Sequence, residues 1–196
     1  MRRTILCVLA MAAIVTVPAI GQQSPAPNTV DSNSVRVREN FRLMLNGAIR
    51  RNVVEAAEAM PADKYGFAPT AGEFHNVRTF GRQILHLAAT NYILAAAALG
   101  QSPPADAGDE AGPDSVVTKA QHLTYLKGSF DALDRAIDAI GETRIPVRSS
   151  PISPFQGGSA TRVGLIAEAM IHSYDHYGQM VVYLRMNGMV PPASRR

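Results

Sequence analysis

Two histidines stand four residues apart in the stretch His172-Ser173-Tyr174-Asp175-His176-Tyr177-Gly178-Gln179. On a helix, side chains at i and i+4 point the same way, so both imidazoles can address one ion. At about 100° per residue, Leu165, Ala169, His172, His176 and Tyr183 fall within an arc of about 60°, with Gln179 at its edge. That arc is apolar apart from the imidazoles and two hydrogen-bonding tips, and burying both rings requires partners for four ring nitrogens. A third imidazole, His86, lies in Gln83-Ile84-Leu85-His86-Leu87-Ala88-Ala89 among apolar and small residues. By itself it reads as a core histidine donating to a nearby carbonyl. Where its helix faces that of His172, it completes a cluster of three. Three neutral nitrogen donors suit a borderline divalent ion such as Zn²⁺ or Ni²⁺. Three protein ligands also leave a position for water or substrate, the pattern of a catalytic rather than a closed structural site. Asp175 could hold a ligand imidazole from behind, and Gln179 and Tyr183 could orient a bound group. His75 and His122 read as surface or capping residues.

Other site chemistries lack their residues. The single cysteine, Cys7, sits in an N-terminal apolar stretch, which leaves no thiol for a nucleophile, a thiolate zinc site or a redox pair. There is no His-Glu-x-x-His and no Gly-x-Ser-x-Gly, so a metalloprotease helix and a serine nucleophile elbow are excluded. Gly157-Gly158-Ser159 reads as a flexible helix entry with Ser159 as cap, although such a turn can also cradle an anion.

The elements that must carry these groups are helical. Apolar residues recur at three- and four-residue steps through Val37, Phe41, Met44, Leu45, Ala48, Val53 and Ala56, predicting a helix over 34–59 capped by Asn33 or Ser34 and stopped by Pro61. A second is predicted from Val77 to Leu99 before Gly100, and a third from Ser115 to Ile140 before Gly141. The fourth runs from Ser159 to Met186, with Gly188 and Pro191-Pro192 beyond. Strand alternation is nearly absent. Four long helices predict an all-α four-helix bundle, and the long gaps Met60–Asn76 and Gly141–Gly158 predict crossover connections or lids rather than tight hairpins.

Residues 1–21 begin with Arg2-Arg3, run apolar from Thr4 to Val17, break at Pro18 and end Ala19-Ile20-Gly21, which predicts a cleaved secretory signal. The rival reading, a retained anchor, fits the proline and small-residue ending less well. Residues 22–33 then form a polar lead-in, and 34–194 the bundle. Protein location is expected to be periplasmic or secreted, with no stable membrane insertion after cleavage. Of the formal charge of +3, Arg2 and Arg3 belong to the signal, so the mature chain is nearly neutral. Without a basic cluster it has no footprint for nucleic acid.

Two stretches, Met60–Thr70 leading through Arg78-Thr79-Phe80-Gly81 to Leu85-His86-Leu87-Ala88, and His172–Gln179 followed by Tyr183–Gly188 and Pro191-Pro192, resemble the DinB/YfiT-like superfamily of metal-binding four-helix bundles. The resemblance implies a divalent ion held by His86, His172 and His176. It also implies kinship with thiol-dependent transferases and isomerases, although export to a thiol-poor compartment sits poorly with that chemistry. Two functions follow as expectations. One is an exported metal-dependent enzyme, a thiol S-transferase or a hydrolase, acting on a small molecule. The other is a non-catalytic, metal-stabilised binding or stress-related module, pairing as a homodimer through Ile166, Met170, Tyr177, Val181 and Leu184.

Overall fold

The computed structural model describes residues 32–108, 110–141, 152 and 160–195. The segment expected to be a signal, most of the expected lead-in, Gly157-Gly158-Ser159 and most of the segment between α4 and α5 lie outside the described residues. Helix α1 (Ser32–Met44) continues through a π-helical turn, Leu45–Ile49, into α2 (Arg50–Ala59); then come α3 (Phe80–Leu99), α4 (Lys119–Asp138) and α5 (Arg162–Met186). With α1 and α2 forming one rod, four long helices build the bundle, and among the described residues there is no strand.

The first rod starts at Ser32, so Asn33 and Ser34 lie within it rather than capping it. Its π turn has a packing cause. Phe41, Leu45, Ile49 and Val53 are spaced four apart, and each such step drifts about 40° around an α-helix. One widened turn brings the series back into line, and Leu45, Ile49 and Val53 are all buried. Met44, which a uniform helical period put on the buried stripe, is 46% exposed.

α3 begins three residues later than Val77 because Thr79 is its cap, with its hydroxyl oxygen accepting from the Arg82 amide. The long connection before it supplies the other partners: the Phe80 and Gly81 amides donate to the carbonyls of Phe67 and Tyr65 at 2.8 Å each. Thus the first gap fixes where α3, and so His86, sits. α3 ends on Gly100 at φ 69°, where the amide reaches back to Ala96 and Ala97, a left-handed turn that glycine takes without a Cβ penalty. α4 opens at Thr118–Gln121, a reciprocal capping box. α5 opens at Thr161, whose hydroxyl accepts from the Gly164 amide.

α3 is the central element, packing most extensively against α4 and α5 and buried along nearly its whole length. Phe80, Ile84, Leu87, Leu94, Leu126, Phe130, Leu133 and Leu165 form one aliphatic-rich core. Of the five residues expected to pair copies of the chain, Ile166, Met170 and Leu184 are buried in that core, and Tyr177 and Val181 are half-buried. The exposed large apolar residues of α5 are Ile171, Tyr174, Val182 and Met186. Among the described residues, no helix is long and apolar enough to cross a membrane.

Candidate metal centre

α3 and α5 face each other across the bundle, and their histidines meet. His86 and His176 are buried and His172 is half-buried. The rings stack edge to face, with centroids 4.3–5.0 Å apart. Their Nε2 atoms turn toward one point: that of His172 lies 3.2 Å from that of His86 and 2.9 Å from that of His176. Zinc–nitrogen bonds of about 2.0–2.1 Å in tetrahedral array put donors about 3.3 Å apart, close to both separations.

The outer nitrogens identify the groups behind the rings. Nδ1 of His86 donates to the Glu110 carbonyl at 3.0 Å, with the Glu110 carboxylate at 3.7 Å. Glu110 holds this pose at φ 81°, and Gly112, at φ 73°, packs its backbone onto Leu85 so closely that a Cβ would meet it at 3.0 Å. Nδ1 of His176 meets the Gln83 amide nitrogen at 2.8 Å. That nitrogen also donates to Gln179 Oε1 at 2.6 Å, and Gln179 Nε2 donates to Asp175 at 2.8 Å. Nδ1 of His172 is buried and, among the described residues, has no partner.

The fit to a cation follows from counting protons. A carbonyl only accepts, so His86 carries its proton on Nδ1 and presents a lone pair at Nε2. Along Asp175–Gln179–Gln83, each amide nitrogen points toward the acidic end, so Gln83 offers N–H to His176 and leaves the His176 proton on Nε2. His172 stands between an acceptor and a donor and has one proton. Placed on Nε2, it faces the N–H of His176; placed on Nδ1, it leaves two lone pairs opposed at 3.2 Å. In that amide orientation no neutral arrangement satisfies all three rings; with the Gln83 carboxamide turned over, its Oε1 accepts from His176 Nδ1–H and the three Nε2 lone pairs can converge on one cation. Burial, first, and the neighbouring His176 and His86 push the His172 imidazolium down to about 3; burial, then His86 and Arg78, push His176 down to about 4. Burial likewise lowers His86, against the opposing pull of Glu110. All three are therefore neutral at pH 7, the form that ligates metal.

The remaining site residues fall in different places. Gln179 and Asp175 lie on the exposed side of the relay, and Asp175 touches Gln179 rather than an imidazole. Tyr183 donates to the Arg78 carbonyl at 2.9 Å and packs edge-on against Phe67, pinning the segment that leads into α3. His75 is fully on the surface beside Glu73. His122, by contrast, is buried: its Nδ1 donates to the Thr118 carbonyl, and its ring lies against Tyr65 and over Gly81. Glycine at 81 makes the room, since a Cβ there would meet His122 Nε2 at 2.9 Å. Sequence reasoning missed Gln83 and Glu110. The signal for Gln83 was its place three residues before His86, a polar side chain inside an apolar run; Glu110 acts through its backbone and left none.

Ahead of and along the first turn of α3, Val77, Arg78, Thr79, Arg82, Ala111 and Asp114 line a recess of about 540 Å³. None of the three histidines lines it, but the charge of Arg78, one of its walls, bears on all three imidazoles.

These features define a class: an all-α protein with a histidine cluster, drawn from two helices, that can bind a divalent metal. Residues 47–180 match the sequence model of the DinB superfamily, a span that takes in all three imidazoles, and the chain belongs to that superfamily. No curated protein matches it.

Proposed function

We propose that the chain is an exported, divalent-metal-dependent enzyme, a transferase of the thiol S-transferase kind or a hydrolase, with His86, His172 and His176 as ligands and zinc or nickel as the ion. The observation that carries this reading is the convergence of three Nε2 atoms, from two helices, at the separations a tetrahedral ion spans. A bound ion with a free coordination position would polarise a substrate atom or generate a nucleophile at neutral pH. The chain's own groups support an open site. His172 is only half-buried, and Arg78, whose charge bears on all three imidazoles, lines a recess with Arg82, which is paired to Asp114 at 2.6 Å. Among the described residues no ion pair engages Arg78, so its charge is available to an anionic substrate group. Export rests on the signal read in residues 1–21.

The test is elemental analysis of tag-free mature protein beside His172→Ala, followed by turnover assays on thiol-acceptor, ester and amide panels. One ion per chain in the first protein, none in the variant and turnover that chelation abolishes are the expected results. Metal-free protein after growth and purification in zinc- or nickel-supplemented medium would overturn the reading. Full metal without turnover on any panel would leave the non-catalytic, metal-stabilised module.

A further inference from the structure

α4 runs parallel to α3: Gly81 and His122 meet near the start of both helices, and Asn91 hydrogen-bonds Ser129 further along. A chain leaving the end of α3 must therefore travel back along that helix before α4 can begin, and its anchors mark the path. Ala107 packs on Ala89 and Ile93, the Glu110 carbonyl accepts from His86 Nδ1 at 3.0 Å, Gly112 lies against Leu85 and Asp114 pairs with Arg82 at 2.6 Å. These contacts step back through α3 in order, so the crossover passes over the outer nitrogen of His86. Glu110 makes its contact at φ 81°, in the left-handed region that a residue with a Cβ rarely takes. Gly108 and Gly112 beside it take φ of 60° and 73° without that penalty. A backbone outlier of this kind persists only where its surroundings over-determine it, and such outliers cluster at functional sites.

We infer that Glu110 is a positioning residue for His86 that acts through its main chain: the crossover holds it at positive φ so that its carbonyl fixes the imidazole proton on Nδ1 and leaves the Nε2 lone pair for the ion. The inference rests on the metal reading above. A carbonyl oxygen only accepts, so the ring nitrogen facing it carries the proton whatever the other two rings do. A ligand ring held from behind in this way is fixed in orientation and made more basic toward a metal. The Glu110 carboxylate is not the operative group. It stands 3.7 Å from the same nitrogen and is partly exposed, beyond the reach of a hydrogen bond. What the position demands is therefore tolerance of a left-handed backbone rather than a charge. A side chain that resists positive φ swings the carbonyl away from His86. Gly112 has the complementary requirement, since a Cβ there would stand 3.0 Å from Leu85 and lift the crossover off α3.

Three variants of the full mature chain test this. Glu110→Asn and Glu110→Val both remove the carboxylate, but asparagine accepts the left-handed region and β-branched valine resists it. Zinc affinity, measured by competition with a chromophoric chelator, should be about 10- to 100-fold weaker in Glu110→Val than in Glu110→Asn, the loss that follows removal of a ligand's outer partner. Gly112→Ala leaves Glu110 in place and should weaken binding relative to the parent by a similar factor; it carries the comparison if Glu110→Val fails to fold. In ¹⁵N-labelled, zinc-loaded parent, the His86 proton should sit on Nδ1 and exchange slowly with water, and in Glu110→Val and Gly112→Ala it should exchange fast. A crossover that only stabilises the fold would lower melting temperatures without moving that proton. If the parent binds zinc and the two Glu110 variants match each other, or the His86 Nδ1 proton stays as protected in Glu110→Val and Gly112→Ala as in the parent, the inference fails and the metal reading stands. If the parent binds no zinc, both fail.

Discussion

His172 occupies the hardest position of the three rings, with an imidazole Nε2 on either side of its own and a buried Nδ1 that has no partner among the described residues. Its protonation in the metal-free protein is opposed first by burial and then by its two neighbours, and that of His176 by burial, His86 and Arg78. An unfolded chain restores both imidazoles to the ordinary value of 6.5. Below that pH the unfolded state binds more protons than the folded one, so stability is lost as pH falls. Above it both states are neutral and the contribution vanishes. Urea midpoints of chelator-treated protein should therefore be flat from pH 7 to 8 and decline steadily from pH 6.5 toward 4. The double variant His172→Gln/His176→Gln should lose most of that decline; an unaltered slope would show that other groups carry it.

At the scale of elements, the helix ends are tied by long cationic side chains from neighbouring helices. Arg162, at the start of α5, donates to the carbonyls of Ala98 and Ala139, at the ends of α3 and α4, at 2.7 Å each. Lys119, at the start of α4, donates to the carbonyls of Glu58 and Met60 at the end of α2. These carbonyls have no partner within their own helices, and they carry the negative end of the helix dipole. Arg162→Met keeps much of the aliphatic stem but strands two carbonyls, and should cost about 2–3 kcal/mol, lowering the melting temperature by roughly 5–10 °C. Thr118→Ala, which removes one cap, should cost only about 1 kcal/mol. A smaller loss for Arg162→Met than for Thr118→Ala in thermal melts would mean that water already serves those carbonyls. Neither tie was legible in the sequence, because a lysine or arginine at a helix start looks like any exposed charge. The helices themselves were legible, since the three-and-four spacing of Phe80, Ile84 and Leu87, or of Leu126, Phe130 and Leu133, reports burial directly. The two ligand-bearing faces were legible for the same reason. The π turn was not, because a fixed period cannot announce its own interruption. His122 was misjudged, because its burial depends on a glycine in another helix.

For the whole molecule, the cluster joins the central helix α3 to α5, segments far apart in the chain, and only the folded state can bring the three rings together. An ion that binds this state and not the unfolded one stabilises it by an amount set by its concentration relative to its dissociation constant, about 2.7 kcal/mol at a hundredfold excess. In a domain of this size that raises the melting temperature by roughly 5–10 °C. Chelation should accordingly lower the midpoint of the mature protein by that amount, and restored zinc should recover it. His86→Ala and His172→Ala remove ligands from different helices, yet both should melt at one temperature with or without chelator. If His86→Ala keeps its chelator response while His172→Ala loses it, the ion is held within α5 alone. The link between the two helices would then be absent, whatever their imidazoles do in the empty bundle.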